Sequence, residues 1–263
     1  RLERAEGNAC VQFAEARLRL FPGSGAGWME CAGAYVVFDG IDSPVTQTFG
    51  LGIFEELSAE ALDEIERFFI LRGAPVYHEI SPLAGVAAME VLCARNYRPV
   101  EISSVLYRPV EAIPGSDSDR IHVRVAKPEE MRLWTGISAR GWAGEHPELA
   151  DFFLQYGAIS SARRQSIFFI AELDGEPGAA GVLCMHDGVA LLGGASTVPE
   201  FRRRGLHSQL LRARMRCAFD HGCDLASMAA EAGGYSQHSA ERHGFRIAYT
   251  RMKWRLVSGK RPA

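Results

Sequence analysis

Arg202-Arg203-Arg204-Gly205 is the densest run of positive charge on a chain whose formal net charge is only −3. It lies between Val198-Pro199-Glu200-Phe201 and Leu206-His207-Ser208. Guanidinium groups suit an anion with several oxygens, because charge-assisted hydrogen bonds are about twice as strong as neutral ones. A glycine beside them permits a backbone conformation closed to other residues and lets a ligand come close. Where a helix starts at such a point, its first amides lack internal partners and its dipole adds partial positive charge. This is the chemistry of a pyrophosphate cradle.

Other phosphate and nucleophile signatures fail. There is no G-x-x-x-x-G-K-[ST], and no G-x-G-x-x-G after a strand. Gly234-Tyr235-Ser236-Gln237-His238 misses the G-x-S-x-G elbow of hydrolases at its last glycine. No Asp follows Ser236, and Glu241 and His243 share one short helix, so a separated triad is excluded. Cys217, His221 and Cys223 have no second ligand pair at zinc spacing, and no metal is expected.

The elements around the arginines must position them. Val189 to Thr197 is apolar and reads as a strand, and 205–221 has helical spacing ending at His221-Gly222. Arg214 falls on the inward face with Leu206, Leu210, Ala213, Cys217 and Ala218. It is expected to snorkel or pair with a buried acid, or else to order the loop from behind. Arg212 and Arg216 are expected to be solvated. Upstream, Ser166 to Leu173, the turn Asp174-Gly175, and Ala179 to Cys184 form a hairpin, and His186-Asp187-Gly188 turns into the next strand. A strand from Asp224 to Glu231 and a helix from Ser236 to His243 follow.

The first half repeats this order. Ser58 caps a helix running to Gly73, Ala74 to Ile80 is a strand, and Val86 to Arg95 is a helix. Both halves then close alike, with Asn96-Tyr97 matching Gly244-Phe245 before a strand ending in Tyr107-Arg108 or Trp254-Arg255. The division is residues 1–112, a turn-forming acidic linker at 113–119, and residues 120–263. Where the arginines stand in the second half, the first has Leu51-Gly52-Ile53-Phe54-Glu55-Glu56-Leu57, which repels phosphate. The fold class is α+β (α/β by some schemes), each half a mixed, mostly antiparallel sheet flanked by helices.

On these residues, 120–257 resembles the GCN5-related N-acetyltransferase (GNAT) superfamily. Arg202 to His207 is similar to its Q/R-x-x-G-x-G/A loop, and Ser236 to Phe245 to its S-x-x-x-x-E-K/R-x-G-F helix. The first half resembles a degenerate second copy, as in tandem members. The resemblance implies that Thr197, Val198, Arg203, Arg204, Gly205, Leu206, His207, Ser208 and Ser236 bind acetyl-CoA. It departs at His207, where the loop prefers Gly or Ala, and at Ala240, where many members carry a Tyr that protonates the leaving thiolate.

The implied reaction is acetyl transfer to an amine in a ternary complex. An amine of pKa about 10.4 is only about 1 part in 2,500 neutral at pH 7, so a base helps. Glu231 is the candidate, with Tyr235 and Ser236 adjacent, and an N–H near Thr197-Val198 is the candidate donor to the thioester oxygen. The alternative is a non-catalytic acyl-CoA-binding or sensory protein. The acceptor is expected to be a small-molecule or peptide amine, with specificity set by 134–161, where Trp134, Trp142, Phe152, Phe153 and Tyr156 lie. The 263 residues are 47% hydrophobic and 23% charged, as in ordinary globular proteins. The net charge argues against a general nucleic-acid binder. No apolar run reaches membrane-spanning length, the polar start lacks a signal-peptide core, and six scattered cysteines suggest a reducing cytoplasm.

Overall fold

The computed structural model describes residues 1–113, 119–144 and 147–257. Residues 114–118 of the predicted linker therefore lie outside the described residues. The chain forms two compact units, Arg1–Tyr107 with the chain from Ala229 on, and Arg108–Met228. This division does not follow the sequence boundary at 113–119, because the end of the chain packs with the first half.

The first unit holds α1 (Leu2–Leu20), β1 (Gly27–Cys31), β2 (Ala34–Phe38), β3 (Gln47–Phe49), α2 (Ala59–Ile70), β4 (Tyr77–Ile80), α3 (Gly85–Ala94) and most of β5 (Tyr97–Pro109). The second holds β6 (Ile121–Val125), α4 (Met131–Ala143), α5 (Ala150–Ser161), β7 (Ser166–Leu173), β8 (Glu176–His186), β9 (Val189–Thr197), α6 (Leu206–Asp220) and the start of β10 (Leu225–Glu231). Then α7 (Tyr235–Arg242) and β11 (Arg246–Leu256) return to the first unit. The observed class is the expected one: helices on mixed, mostly antiparallel sheets.

Strand order in the second unit is β10-β9-β8-β7-β6. The β7–β8 turn follows the sequence signal, with Asp174 and Gly175 both at positive φ (53° and 86°), as a tight hairpin requires. Asp187 and Gly188 do the same between β8 and β9. Trp134 of α4 packs edge-on against Phe168, while Gly181 faces α6, so the helices cover opposite faces of this sheet. Buried Leu206, Leu210, Leu211, Met215 and Ala218 form the inward stripe of α6. Ala213 and Cys217, expected there, are only half-buried.

The first unit has the order β1-β2-β3-β4-β11-β5. Its β1/β2, β2/β3 and β3/β4 pairings are antiparallel, antiparallel and parallel, the same series as β7/β8, β8/β9 and β9/β10. A helix joins the parallel pair in each, α2 in one and α6 in the other. The two closing segments that look alike in sequence pair with each other, β11 antiparallel to β5 from Arg246↔Tyr107 to Leu256↔Tyr97. Both follow a helix broken by a left-handed residue, Asn96 (φ 67°) or Gly244 (φ 83°).

Buried charge fastens β11 in place. Arg251, with its side chain 3% exposed, pairs with Glu6 of α1 at 2.7 Å and with Glu79 of β4 at 3.1 Å. Glu3 also faces it and accepts the Tyr249 hydroxyl at 2.8 Å. Burial pushes the Glu3 and Glu79 carboxyls up, against the pull of Arg251. Removing Arg251 strips Glu3 and Glu6 of this cation and leaves Glu79 with Lys253 at 3.6 Å. Arg251→Met should therefore lower stability by about 3–5 kcal/mol in denaturant melts. Adding Glu79→Gln should recover part of that loss.

Candidate functional site

At the end of β9 the chain makes one 3₁₀ turn (Pro199–Phe201) and then the arginine loop. Gly205 has φ 91° and ψ −6°, and is the N-cap of α6 with no side chain capping the helix. The helical ladder begins only with Gln209 N–H donating to Gly205 C=O at 3.1 Å. The first-turn backbone of α6 therefore precedes the ladder, at the positive end of the dipole. Arg203 is also left-handed (φ 63°), an uncommon conformation for a side-chain-bearing residue that costs about 1–3 kcal/mol. The strain is held beside a helix terminus whose dipole favours negative charge.

The three arginines divide their work. Arg202 is structural, its Nε donating to Thr197 C=O at 3.2 Å and its Nη2 to Gly141 C=O of α4 at 3.0 Å. Arg203 and Arg204 are exposed. Arg204 lies 5.8 Å from the Phe201 ring. Asp174 is held below the usual carboxylate range first by its hydrogen bond from Arg120 and further by the charge of Arg204. Beside the loop a cavity of about 380 Å³ is lined by Arg120, His122, Asp174, Gln209 and Arg216 among others.

The strand that leads here loses its neighbour. β10 pairs with β9 only at Leu225↔Val189, Ala226↔Ala190 and Ser227↔Leu191, so β9 from Leu192 onward has no register partner in β10. The expected donor at Thr197-Val198 needs correcting. Val198 N–H is already bonded to Gly178 C=O at 3.0 Å. By strand alternation Thr197 turns its polar groups to the other edge, where Arg202 takes its carbonyl. Of the pair, Thr197 is the one whose amide faces away from β8.

Leu206 is buried, and His207 and Ser208 are half-buried in the first turn of α6. Ser236 is exposed on α7 and Glu231 is exposed at the end of β10, both in the first unit, whereas Thr197 to Ser208 lie in the second. Ala240 is buried at 3% and supplies no hydroxyl. Sequence reasoning missed Gln237, whose Oε1 accepts Gly233 N–H at 2.9 Å and whose Nε2 donates to Glu241 at 3.0 Å. It also missed the paired role of Arg202. Trp134 belongs to the core, donating Nε1 to Gly181 C=O at 3.2 Å. Trp142, Phe153, Phe152 and Tyr156 instead form a half-exposed stack, with Trp142 on Phe153 at 6.3 Å and Phe152 on Tyr156 at 6.0 Å. No group of His, Cys, Asp or Glu among the described residues is placed to hold a metal ion. No helix among them is long and apolar enough to cross a membrane.

The equivalent place in the first unit is closed. Ser58 caps α2 through Ala61 N–H at 3.1 Å. Glu60 is held below its ordinary pKa by hydrogen bonds from its own N–H and from Ser58. One terminus is thus satisfied by its own side chains, and the other has no side-chain cap.

Residues 130–245 match the model of the acetyltransferase (GNAT) family. Over this segment the chain is similar to that family. A comparison with curated proteins gives no match. Among solved structures, a GCN5-related N-acetyltransferase from Kribbella flavida is 18% identical, with 95% of this chain and 96% of that one covered at a TM-score of 0.67. A tandem GNAT protein from the clavulanic acid biosynthesis pathway is 11% identical, covering 86% and 79% at a TM-score of 0.59. At these identities the likeness is one of fold, and it covers most of the chain.

Packing at the end of β9 is tight. A Cβ on Gly141 would lie 2.6 Å from the Ser196 side chain and 3.1 Å from Thr197 N, whereas one on Gly136 of the same helix meets nothing within 4 Å. Gly141→Ala should cost about 1–3 kcal/mol in urea melts. Gly136→Ala should be neutral or stabilise by up to about 1 kcal/mol.

Proposed function

We propose that the chain is an acetyl-CoA-dependent N-acyltransferase, with the cofactor loop in the copy at 120–263 and a degenerate companion at 1–112. The observation that carries this reading is the uncapped N-terminus of α6, set by a left-handed Gly205 at the end of a strand whose parallel neighbour ends its pairing after three residues. Two diphosphate charges fit the dipole, the first-turn amides and the exposed Arg203 and Arg204. The length of β9 without a β10 partner suits the amide groups of the pantetheine arm, and the polar cavity lined by Arg120, His122, Gln209 and Arg216 together with Asp119 and Asp174 suits the nucleotide end. Thr197, Val198, Leu206, His207, Ser208 and Ser236 complete the proposed cofactor contacts.

In the proposed reaction the amine nitrogen attacks the thioester carbonyl carbon, a C–N bond forms, the C–S bond breaks and the thiolate takes up a proton. Glu231 is proposed to receive the amine proton, directly or through water. Solvent is proposed to protonate the sulfur, since Ala240 cannot. The acceptor is a small-molecule or peptide amine rather than a nucleic acid. The half-exposed stack of Trp142, Phe152, Phe153 and Tyr156 favours an acceptor with an apolar or aromatic body. Action in the cytoplasm belongs to the same proposal. Ala240 also supports a second reading, an acyl-CoA sensor without transfer.

Calorimetry with acetyl-CoA should show binding that Gly205→Asp weakens by roughly a hundredfold, through strain at φ 91° and like charge at the loop. Wild-type affinity in that variant would contradict the placement of the cofactor. Free-thiol release across a panel of amines separates the two readings. Turnover above thioester hydrolysis with any amine supports transfer, and none across the panel supports the sensor. In the enzyme, Glu231→Gln should lower the rate and alter its pH dependence, while an unchanged profile removes Glu231 as base.

A further inference from the structure

Arg214 is fully buried in the middle of α6. It neither snorkels nor meets an acid, the two roles first expected of it: among the described residues no carboxylate pairs with it. Its guanidinium is spent on backbone. Nε donates to Leu210 C=O of its own helix at 3.3 Å, and Nη1 donates to Val182 C=O of β8 at 3.3 Å and Gly193 C=O of β9 at 3.2 Å. Nη2 is buried with no partner. Burial lowers its pKa to about 10, so it stays charged at neutral pH. A cation balanced only by carbonyl dipoles is costly, and an apolar side chain of similar volume would fill the same space more cheaply.

What sits at those carbonyls explains the arrangement. The β8–β9 register passes from Val182↔Gly193 to Ala180↔Ser196, so β9 carries one extra residue there. This is a β-bulge, with exposed Gly194 at φ 55°. Gly181, opposite the bulge, leaves room for the guanidinium, because a Cβ there would stand 3.3 Å from its Cζ and Nη1. The bulge interrupts the ladder just after the Val182↔Gly193 pair, and Arg214 bonds to the carbonyl of each residue of that pair, one on β8 and one on β9. The bulge lies in the stretch of β9 that β10 has already left, between the last shared pair at Leu191 and the strand end at Thr197. The helix that supplies Arg214 is also the one whose first turn forms the anion cradle.

We infer that Arg214 is a positioning residue for acyl-CoA, tying the helix that carries the phosphate loop to the bulged strand that faces the acyl arm. The inference rests on the acyl-CoA reading given above. It predicts a split between ligands. ADP engages the loop alone, whereas acetyl-CoA spans loop and strand and depends on the spacing between them.

The test is calorimetry of ADP and acetyl-CoA with the full chain, as wild type, Arg214→Met and Arg214→Lys. Methionine keeps the stem and removes the donors, and lysine keeps charge and a shorter reach. For Arg214→Met, ADP should bind within about twofold of wild type and acetyl-CoA should weaken by about tenfold or more, the scale of lost bonds to a charged donor. Arg214→Lys should fall between. Unchanged acetyl-CoA affinity, or equal losses for both ligands, overturns the positioning role. Should Arg214→Met not fold, the same comparison on Arg214→Lys decides, with a selective loss of acetyl-CoA supporting the role and equality with wild type refuting it. Wild-type protein that binds neither ligand overturns the acyl-CoA reading itself, and this inference with it.

Discussion

The site depends on a parallel strand pair that is allowed to part. A parallel pair normally continues as far as both strands are extended, because each residue left unpaired gives up a ladder bond. Here β9 and β10 share three residues, and β9 then runs on for six more without β10. The parting is stabilised from the sides. β8 pairs along β9 through Thr197, Arg214 bonds to both strands at the pair before the bulge, and Arg202 holds the strand end to α4. Tight glycine contacts at Gly141 bring that helix close enough to do so. The result is a strip of backbone and a helix terminus, both rich in donors and both fixed before any ligand arrives, which is where preorganisation gives affinity at low entropic cost.

The first unit shows what the same architecture becomes without that constraint. It repeats the two antiparallel pairs and the parallel pair, down to a single register pair between Thr48 and His78. Its helix is capped by Ser58, and its loop carries Glu55 and Glu56 instead of arginine. Its polar chemistry goes into a buried ion cluster of Glu3, Glu6, Glu79 and Arg251 that binds α1 and β11 to the sheet. Charge in that unit secures the return of the chain's last strand, and charge in the other presents itself to solvent at a loop.

Much of this was legible in the residues. The Asp-Gly turns, the Ser58 cap, the extent of α6 and the split between an arginine loop and an acidic counterpart all follow from local chemistry that tertiary contacts do not override. The matching closing segments correctly signalled a repeat. They did not reveal that β11 would pair with β5, since strand partners far apart in sequence leave no local trace. The bulge was hidden for a related reason. Gly193-Gly194 reads only as permissive backbone until the register against β8 is known. Arg214 was placed inward by helical phasing, but its carbonyl partners lie on two other strands and have no side-chain signature. The donor expected near Thr197-Val198 narrows to Thr197 only once the ladder is known, since Val198 N–H is bonded to Gly178.

Hydrogen–deuterium exchange with and without acetyl-CoA tests the central claim most directly, because it reads the two halves of one chain in a single experiment. The account predicts slowed exchange on ligand addition across 194–208, where the unpaired strand and the first turn of α6 lie. It predicts no change across 50–61, the capped counterpart. Equal protection of both segments, or none at 203–208 under saturating ligand, would contradict it.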